Sequence, residues 1–296
     1  MMVTAGVSAL TRRGEPRRGA AKRKVLARVI ACFLTLLVAV AIFAPLIAPY
    51  PANAQNLALA FRPPAGFARA APGHLLGTDQ LGHDILSQMI YGTRLSLIVG
   101  VAATLLAGTV GLLIGLIAGY FGGLRDQLLM RLADMQLAFP SILLAMVLVA
   151  VIGPSVLFLV LVLGITGWVP YARVVRSEVL SLRQKEFVTA ARGIGVRDRT
   201  IIRRHMLPNV MAPLATIATL QVASMIIIAA SLSYLGLGVP PSDPSWGAMI
   251  QEGQLYLSTS WWVGVFPGLA LVATTLAINL AGDLLRDIAD PKAYLR

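Results

Sequence analysis

The chain has 296 residues, of which 57% are hydrophobic and only 13% are charged. Soluble domains carry about 25% charged residues, so this composition excludes a globule that faces water on all sides. The net charge of +12 does not indicate nucleic-acid binding, because the basic residues cluster between apolar stretches as in membrane proteins. The single cysteine, Cys32, excludes a disulfide within the chain.

The apolar stretches predict an all-α, polytopic membrane protein. A membrane-spanning helix needs about 20 mostly apolar residues, and six stretches meet or approach this length. They are Ile30–Ile47, Leu95–Tyr120, Leu137–Ile152, Val156–Val175, Val210–Leu237 and Trp261–Ala281. The third is the shortest of the six. The chain is therefore predicted to have about six transmembrane helices.

Basic residues on alternate sides of these spans predict the orientation. Lys and Arg are frequent in the tail before the first span, in the segment 176–209 and at the C-terminus, whereas 239–260 contains neither. Because positive charge accumulates on the cytoplasmic side, both termini and the loop 177–209 are expected there. Small residues at Ala52–Ala54 leave cleavage of the first apolar stretch as an alternative.

The chain divides into a tail and one membrane domain. Residues 1–24 are predicted to be a basic, disordered cytoplasmic tail, and residues 25–296 to form the transmembrane domain. The outer segment 50–93 is expected to begin as a loop. Its second half, "GTDQLGHDILSQMIYG", is predicted to be a short amphipathic helix that Thr78 or Asp79 caps. This helix is expected to lie along the membrane surface or against the spans.

Two features of the spans bear on function. Gly111, Gly115 and Gly119 repeat at the spacing that lets helices approach closely in lipid. No span has an ionisable residue near its middle, which disfavours a channel or an ion-driven carrier. The spans also lack the histidines, cysteine pairs or acid pairs that a membrane-embedded enzyme would need.

A group of polar residues outside the spans leaves two interpretations. His74, Asp79, His83 and Asp84 are candidates for a metal site on the outer face. Their spacing matches no strong ligand pattern, so loop and helix-cap residues are favoured over metal ligands.

The polar stretch "EFVTAARGIGVRDRTIIRRHMLPN", from Glu186 to Asn209, interrupts the apolar pattern. A helix that continues from Ser177 into this stretch is predicted to end at Gly193 and Gly195. A second short helix is predicted over Arg197–Met206, with Pro208 starting the next span. Such a thin, rigid element favours docking into a cleft of another protein; the alternative is a solvated basic loop.

This stretch resembles the EAA loop of permease subunits in binding-protein-dependent ABC importers. That motif has E-A-A, three residues, G, nine residues and I-x-L-P. Here Thr189-Ala190-Ala191, Gly195 and His205-Met206-Leu207-Pro208 keep the spacing. Thr189 replaces the usual glutamate, with Glu186 as a candidate substitute, and His205 replaces the isoleucine.

Two further stretches point to one branch of this permease family. "HLLGTDQLGHDILSQMIYGTRLSL" (His74–Leu97) and "LSYLGLGVPPSDPSWGAMI" (Leu232–Ile250) resemble segments of the dipeptide and oligopeptide permease branch, C-type. The resemblance implies the type I ABC importer transmembrane fold with a cytoplasmic coupling helix. It covers nearly everything after the basic tail.

The resemblance also implies the function and the partners. The chain would be the permease subunit of an ATP-driven importer in the bacterial inner membrane, carrying di- or oligopeptides, or alternatively nickel or a glutathione-like substrate. The implied partners are a second permease, two ATPases that use ATP and Mg²⁺, an external binding protein and lipid. The implied ATPase-docking residues are Glu186, Thr189, Ala190, Ala191, Gly193, Gly195, Leu207 and Pro208. Asp79, Asp84, Asp243 and Trp246 are expected in the outer vestibule.

The chain itself is not expected to be an enzyme. It lacks the G-x-x-x-x-G-K-[ST] phosphate loop of an ATPase. No catalytic, cofactor-binding or metal-binding residue is therefore predicted.

Overall fold

The computed structural model describes residues 16–240 and 242–289, and helices make up most of them, with no β-strand in this range. The α-helices are α1 (Pro16–Ile42), α2 (Ala44–Ile47), α3 (Ile85–Phe121), α4 (Gly123–Leu137), α5 (Ser141–Ile152), α6 (Val156–Thr166), α7 (Val169–Arg183), α8 (Glu186–Gly193), α9 (Asp198–Ile201), α10 (Leu207–Tyr234), α11 (Trp246–Gln254) and α12 (Trp262–Ala289). Within the described range, five helical segments are long and apolar enough to cross a membrane, and a bent pair makes a sixth if it counts as one span. The predicted all-α, polytopic fold is confirmed.

Helix α3, with 37 residues, is the longest element and packs along α7 through small residues. A Cβ built at Gly111 would lie 2.4 Å from Tyr171 Cβ, and one at Gly115 would lie 2.7 Å from the Ala172 carbonyl oxygen. A Cβ at Gly119 would be similarly crowded. The two backbones therefore touch because these positions carry no side chain, and the predicted close packing is confirmed.

The third predicted span, Leu137–Ile152, is not one straight helix. Helices α4 and α5 meet at an angle of 85°, and Pro140 immediately precedes α5. Proline lacks an N–H and its ring clashes with the carbonyl four residues earlier, so the chain turns here. Helix α5 has 12 residues, or roughly 18 Å at the α-helical rise, which is shorter than the hydrocarbon core of about 30 Å.

The outer segment corrects the predicted helix start. Thr78 pairs with Asp84 in an isolated β-bridge, so neither Thr78 nor Asp79 caps a helix. Helix α3 begins at Ile85, and the Asp84 side chain caps it by accepting the Ser87 N–H at 2.8 Å. The predicted separate surface helix is therefore wrong, because its first half is not helical and its second half, from Ile85, forms the first turns of a membrane-spanning helix.

The backbone conformation of two glycines explains why the helix starts at Ile85 and not near Thr78. Gly77 and Gly82 have φ values of +82° and +77°, which lie outside the right-handed helical region. The backbone between them forms turns and the β-bridge instead. Asp84 is the first residue after Gly82 whose carboxylate meets the free N–H groups of a helix start.

The N-terminal tail is also corrected in part. Helix α1 begins at Pro16, so the predicted disordered tail is helical over residues 16–24, where it leads into the first span. Residues 1–15 of this prediction lie outside the described residues. Residues 290–296 and Pro241 lie outside them as well.

Candidate functional site

The first arm of the elbow, which we define as residues 186–208, is helix α8. Its end has the bonding of a Schellman turn. Gly195 has a φ of +79°, its N–H donates to the Arg192 carbonyl at 3.0 Å, and the Val196 N–H donates to the Ala191 carbonyl at 3.0 Å. A left-handed residue here satisfies the last helical carbonyls and turns the chain. The predicted helix end at the glycines is confirmed. The predicted continuous helix from Ser177 is wrong, because α7 ends at Arg183 and α8 begins at Glu186, with Lys185 between them in an extended conformation.

The second arm of the elbow continues directly into a span. Helix α9, a π-helical turn (Ile202–Met206) and α10 form one helical segment to Tyr234. The prediction that Pro208 separates this arm from the span is wrong. A proline ring clashes with the carbonyl four residues earlier, here that of Arg204. In the π-helical turn the Leu207 N–H donates to the Ile202 carbonyl, and this wider turn relieves the clash.

Buried apolar side chains fix the elbow to the transmembrane helices. Val188, Ile201 and Met206 are fully buried and belong to the main hydrophobic core. Ala191 and Val196 pack against the same core. Burying one large aliphatic side chain contributes about 1.5–3 kcal/mol. The alternative of a solvated basic loop is therefore excluded for this segment.

A polar cluster joins both arms of the elbow to the end of α3. The Tyr120 hydroxyl donates to Asp198 Oδ1 at 2.5 Å, and the Arg192 guanidinium carbon lies 4.7 Å from the Tyr120 ring centroid. We call Tyr120, Arg192 and Asp198 the latch. Sequence reasoning missed Tyr120 because 78 residues separate it from Asp198 and no local pattern connects them.

The opposite face of the elbow points away from the rest of the chain. A Cβ built at Gly193 or Gly195 would meet no atom within 4 Å. Ile194, between these glycines, is 82% exposed. The motif did not single out Ile194, because it specifies the glycine at 195 and leaves the residue before it open.

The predicted docking residues divide between the two faces. Glu186, Thr189, Ala190, Gly193, Gly195 and Pro208 are exposed, whereas Ala191 and Leu207 are half-buried against the core. The first group is therefore accessible, whereas the second group attaches the elbow to the core.

The predicted vestibule residues require a correction. Asp79, Asp84 and Trp246 are almost completely buried, and only Asp243 is partly accessible. The Trp246 indole N–H donates to the Met89 carbonyl at 3.2 Å. Three of these four side chains thus hold the outer segment together and do not line an open surface.

The buried carboxylates of the outer segment are satisfied locally. Asp79 accepts the Leu81 and His83 N–H groups at 2.8 Å each and lies 2.6 Å from His83 Nδ1. Asp84 caps α3 and lies 2.9 Å from His74 Nδ1. No group of three or more potential metal ligands occurs among the described residues. These contacts support the interpretation as loop and cap residues over the metal site.

Long apolar helices and an ordered polar elbow between two of them define a multi-pass membrane protein. The family model described as binding-protein-dependent transport system inner membrane component matches residues 111–293. The model for the N-terminal TM domain of oligopeptide transport permease C matches residues 21–64. The chain belongs to the family of binding-protein-dependent transport system inner membrane components. It is a permease subunit of an ABC transporter and not an enzyme.

Individual relatives agree with this assignment. The di/tripeptide transport system permease protein DppC of Pseudomonas aeruginosa is 42% identical over 260 residues, covering 88% of this chain and 86% of the relative. The glutathione transport system permease protein GsiD of Escherichia coli is 42% identical over 277 residues, covering 92% and 88%. A structure of the MetNI methionine ABC transporter is similar with a TM-score of 0.54 and 17% identity, covering 70% of this chain and 98% of that chain. This last likeness shows the fold alone.

Proposed function

We propose that the chain forms half of the translocation pathway of an ATP-driven importer for di- or oligopeptides, with both of its termini in the cytoplasm. A second, homologous permease completes the pathway. Two cytoplasmic ATPases bind ATP and Mg²⁺, and an extracytoplasmic binding protein delivers the substrate. This chain binds no cofactor of its own.

The observation that carries this proposal is the two-faced elbow. Its inner face is buried in the core through Val188, Ile201 and Met206, while Gly193, Ile194 and Gly195 project into open space. An exposed isoleucine flanked by two residues without side chains suits insertion into an apolar cleft, because no neighbouring side chain blocks its approach. The cleft belongs to an ATPase subunit.

Transmission of movement follows from how the elbow is attached. Its second arm is continuous with α10, and the latch connects both arms to α3. When the ATPases close on ATP, they displace the elbow, and α3 and α10 move with it. The pathway then changes the side of the membrane to which it opens, by rigid-body motion.

The cargo class is supported by the relatives. The names of two equally identical relatives refer to di- and tripeptides and to glutathione. Glutathione is itself a tripeptide with one unusual linkage, so a short peptide is common to both names. A glutathione-like substrate is the second candidate. Competition between labelled dipeptide and glutathione for uptake by the reconstituted importer separates the two.

The docking claim is tested best at Gly193. Gly195 is a poor position, because its positive φ strains any substitution, whereas Gly193 is helical and faces open space. In the reconstituted importer, Gly193→Trp should lower peptide uptake about tenfold or more, since overpacking an interface costs about 1–3 kcal/mol. Gly193→Ala should retain uptake, and both variants should keep the thermal stability of the permease. Normal uptake by Gly193→Trp would refute docking through this face.

A further inference from the structure

A polar cavity of about 430 Å³ lies at the end of the molecule opposite the elbow. The cavity adjoins the start of α3, and the latch is at the end of this helix, roughly 55 Å away at the α-helical rise. Its walls come from the outer segment, the first turn of α3, and the stretch 242–252 that includes most of α11. The volume falls within the range of ligand-binding pockets.

The lining of this cavity is acidic. Asp243 and Glu252 contribute carboxylates, and none of the described lining residues is a Lys or Arg. Glu252 Oε2 accepts a hydrogen bond from Gln80 Nε2 at 3.1 Å. The Asp243 carboxylate has neither a hydrogen bond nor an ion pair with any residue that the structure describes. Among the residues that the structure describes, this carboxylate therefore has no neutralising partner.

His83 adds a buried ring nitrogen to the cavity wall. Only 8% of this residue is exposed, and its Nδ1 lies 2.6 Å from Asp79 Oδ2. When Nδ1 carries the single ring proton and donates it to Asp79, Nε2 is left as an acceptor. Nε2 has no hydrogen-bond partner among the described residues. The two carboxylates of the cavity select a cation that donates several hydrogen bonds.

We propose that this cavity receives a lysine or arginine side chain of the extracytoplasmic binding protein. This inference rests on the proposed function, which puts this end of the chain outside the cell. The lining residues belong to outer loops, the first turn of α3 and the short helix α11, and none comes from the middle of a span. This position favours a docking partner over the transported cargo.

The test uses the complete importer in lipid nanodiscs, titrated with the binding protein of the same system at low and high ionic strength. Asp243→Asn is the first variant, because Asp243 forms no internal side-chain bond that folding could require. In the double variant with Glu252→Gln, the Kd should rise about tenfold at low ionic strength and much less at high ionic strength, where charges are screened. Asp283 is an exposed carboxylate near the C-terminal end of α12. The control variant Asp283→Asn should leave the Kd unchanged.

Two results would overturn the inference. One is a double variant whose Kd and salt dependence equal those of the wild type. The other is a loss of affinity that appears with peptide-loaded binding protein but disappears when the peptide is N-acetylated, because the cavity would then bind the cargo. If the binding protein fails to stimulate ATP hydrolysis by the wild type, the proposed function fails and the inference falls with it. If it stimulates wild type and variants equally, only the inference fails.

Discussion

Two glycines of the outer segment, Gly77 and Gly82, differ from Gly193 of the elbow in what surrounds them. A Cβ at Gly82 would lie 1.9 Å from the Asn56 carbonyl oxygen, and one at Gly77 would lie 2.5 Å from the Arg62 carbonyl oxygen. A Cβ at Gly193 would meet nothing. The fold of the chain therefore explains Gly77 and Gly82 but not Gly193. We propose that Gly193 keeps this part of the elbow thin for another molecule.

Polar residues of the two regions show the same difference. Asp79 and Asp84 are buried and bonded within their own segment. In the elbow, Glu186 and Thr189 are exposed and project outward. Asp79 and Asp84 thus serve contacts within this chain, whereas Glu186 and Thr189 are exposed on the part of the elbow where we propose that an ATPase binds. Substitutions in the outer segment should lower the unfolding temperature, and we call these positions the stability class. Substitutions in the elbow should lower uptake without lowering the unfolding temperature, and we call these positions the transport class.

The largest effect is expected at Gly82. Gly82→Ala combines a positive φ, which costs about 1–3 kcal/mol for a residue with a side chain, with a clash against the Asn56 backbone. The permease should show a strongly lowered unfolding temperature or fail to assemble. Gly66→Ala is the matched control, because Gly66 has a φ of +97° but open space around it. If both variants were equally stable, the clash at Gly82 would have no structural meaning.

A large effect on transport without an effect on stability is expected at Ile194. Ile194→Asp puts a charge at the tip of the elbow, where we propose that an apolar cleft binds. Uptake should fall about a hundredfold or more, since desolvating an unpaired charge at an interface costs several kcal/mol, while the unfolding temperature stays constant. Ile194→Leu should retain uptake. Equal loss in both variants, or a lowered unfolding temperature, would place Ile194 in the stability class.

An intermediate effect is expected at the latch. Tyr120→Phe removes the hydrogen bond to Asp198 and keeps the ring beneath Arg192. A hydrogen bond to a charged group contributes about 1.5–3 kcal/mol, so the number of peptides transported per ATP hydrolysed should fall several-fold.

The control for the latch is Tyr234→Phe. The Tyr234 hydroxyl donates to Gln254 between α10 and α11, away from the elbow, so its loss should leave this ratio unchanged. A ratio that does not fall in Tyr120→Phe would show that the latch transmits no movement.

The smallest effect is expected at Thr189. Its side chain is exposed, and its one hydrogen bond among the described residues is a long contact of 3.4 Å to the Lys185 carbonyl. Surface substitutions usually change free energies by less than about 0.5 kcal/mol, so Thr189→Ala should change uptake by less than about twofold. A greater loss would show that the ATPase contacts this position directly.

Local signals in the sequence predicted a large part of this account. Apolar runs predicted most of the spans, and the small-residue spacing predicted the close packing of α3 on α7. Gly195 predicted the turn of the elbow. The family resemblance predicted a docking role for the elbow, and part of the elbow is exposed. These features depend on neighbouring residues or on a continuous motif.

Other features depend on contacts between distant residues, and the sequence could not predict them. The Tyr120–Asp198 bond joins positions 78 residues apart. The π-helical turn before Pro208 is an adjustment of backbone bonding with no side-chain signature. Asp79 and Asp84 resembled exposed polar residues, because composition does not distinguish a buried, satisfied carboxylate from a solvated one.

The central claim is that a cytoplasmic ATPase binds the elbow at its exposed tip. The only cysteine is Cys32, so Ile194→Cys in a Cys32→Ser background gives a single reactive thiol at the tip. We expect a thiol-to-amine crosslinker on the assembled importer to join position 194 to an ATPase subunit, and an impermeant thiol reagent added outside intact cells to leave it unlabelled. Labelling from outside, or the absence of any crosslink to an ATPase, would contradict the account.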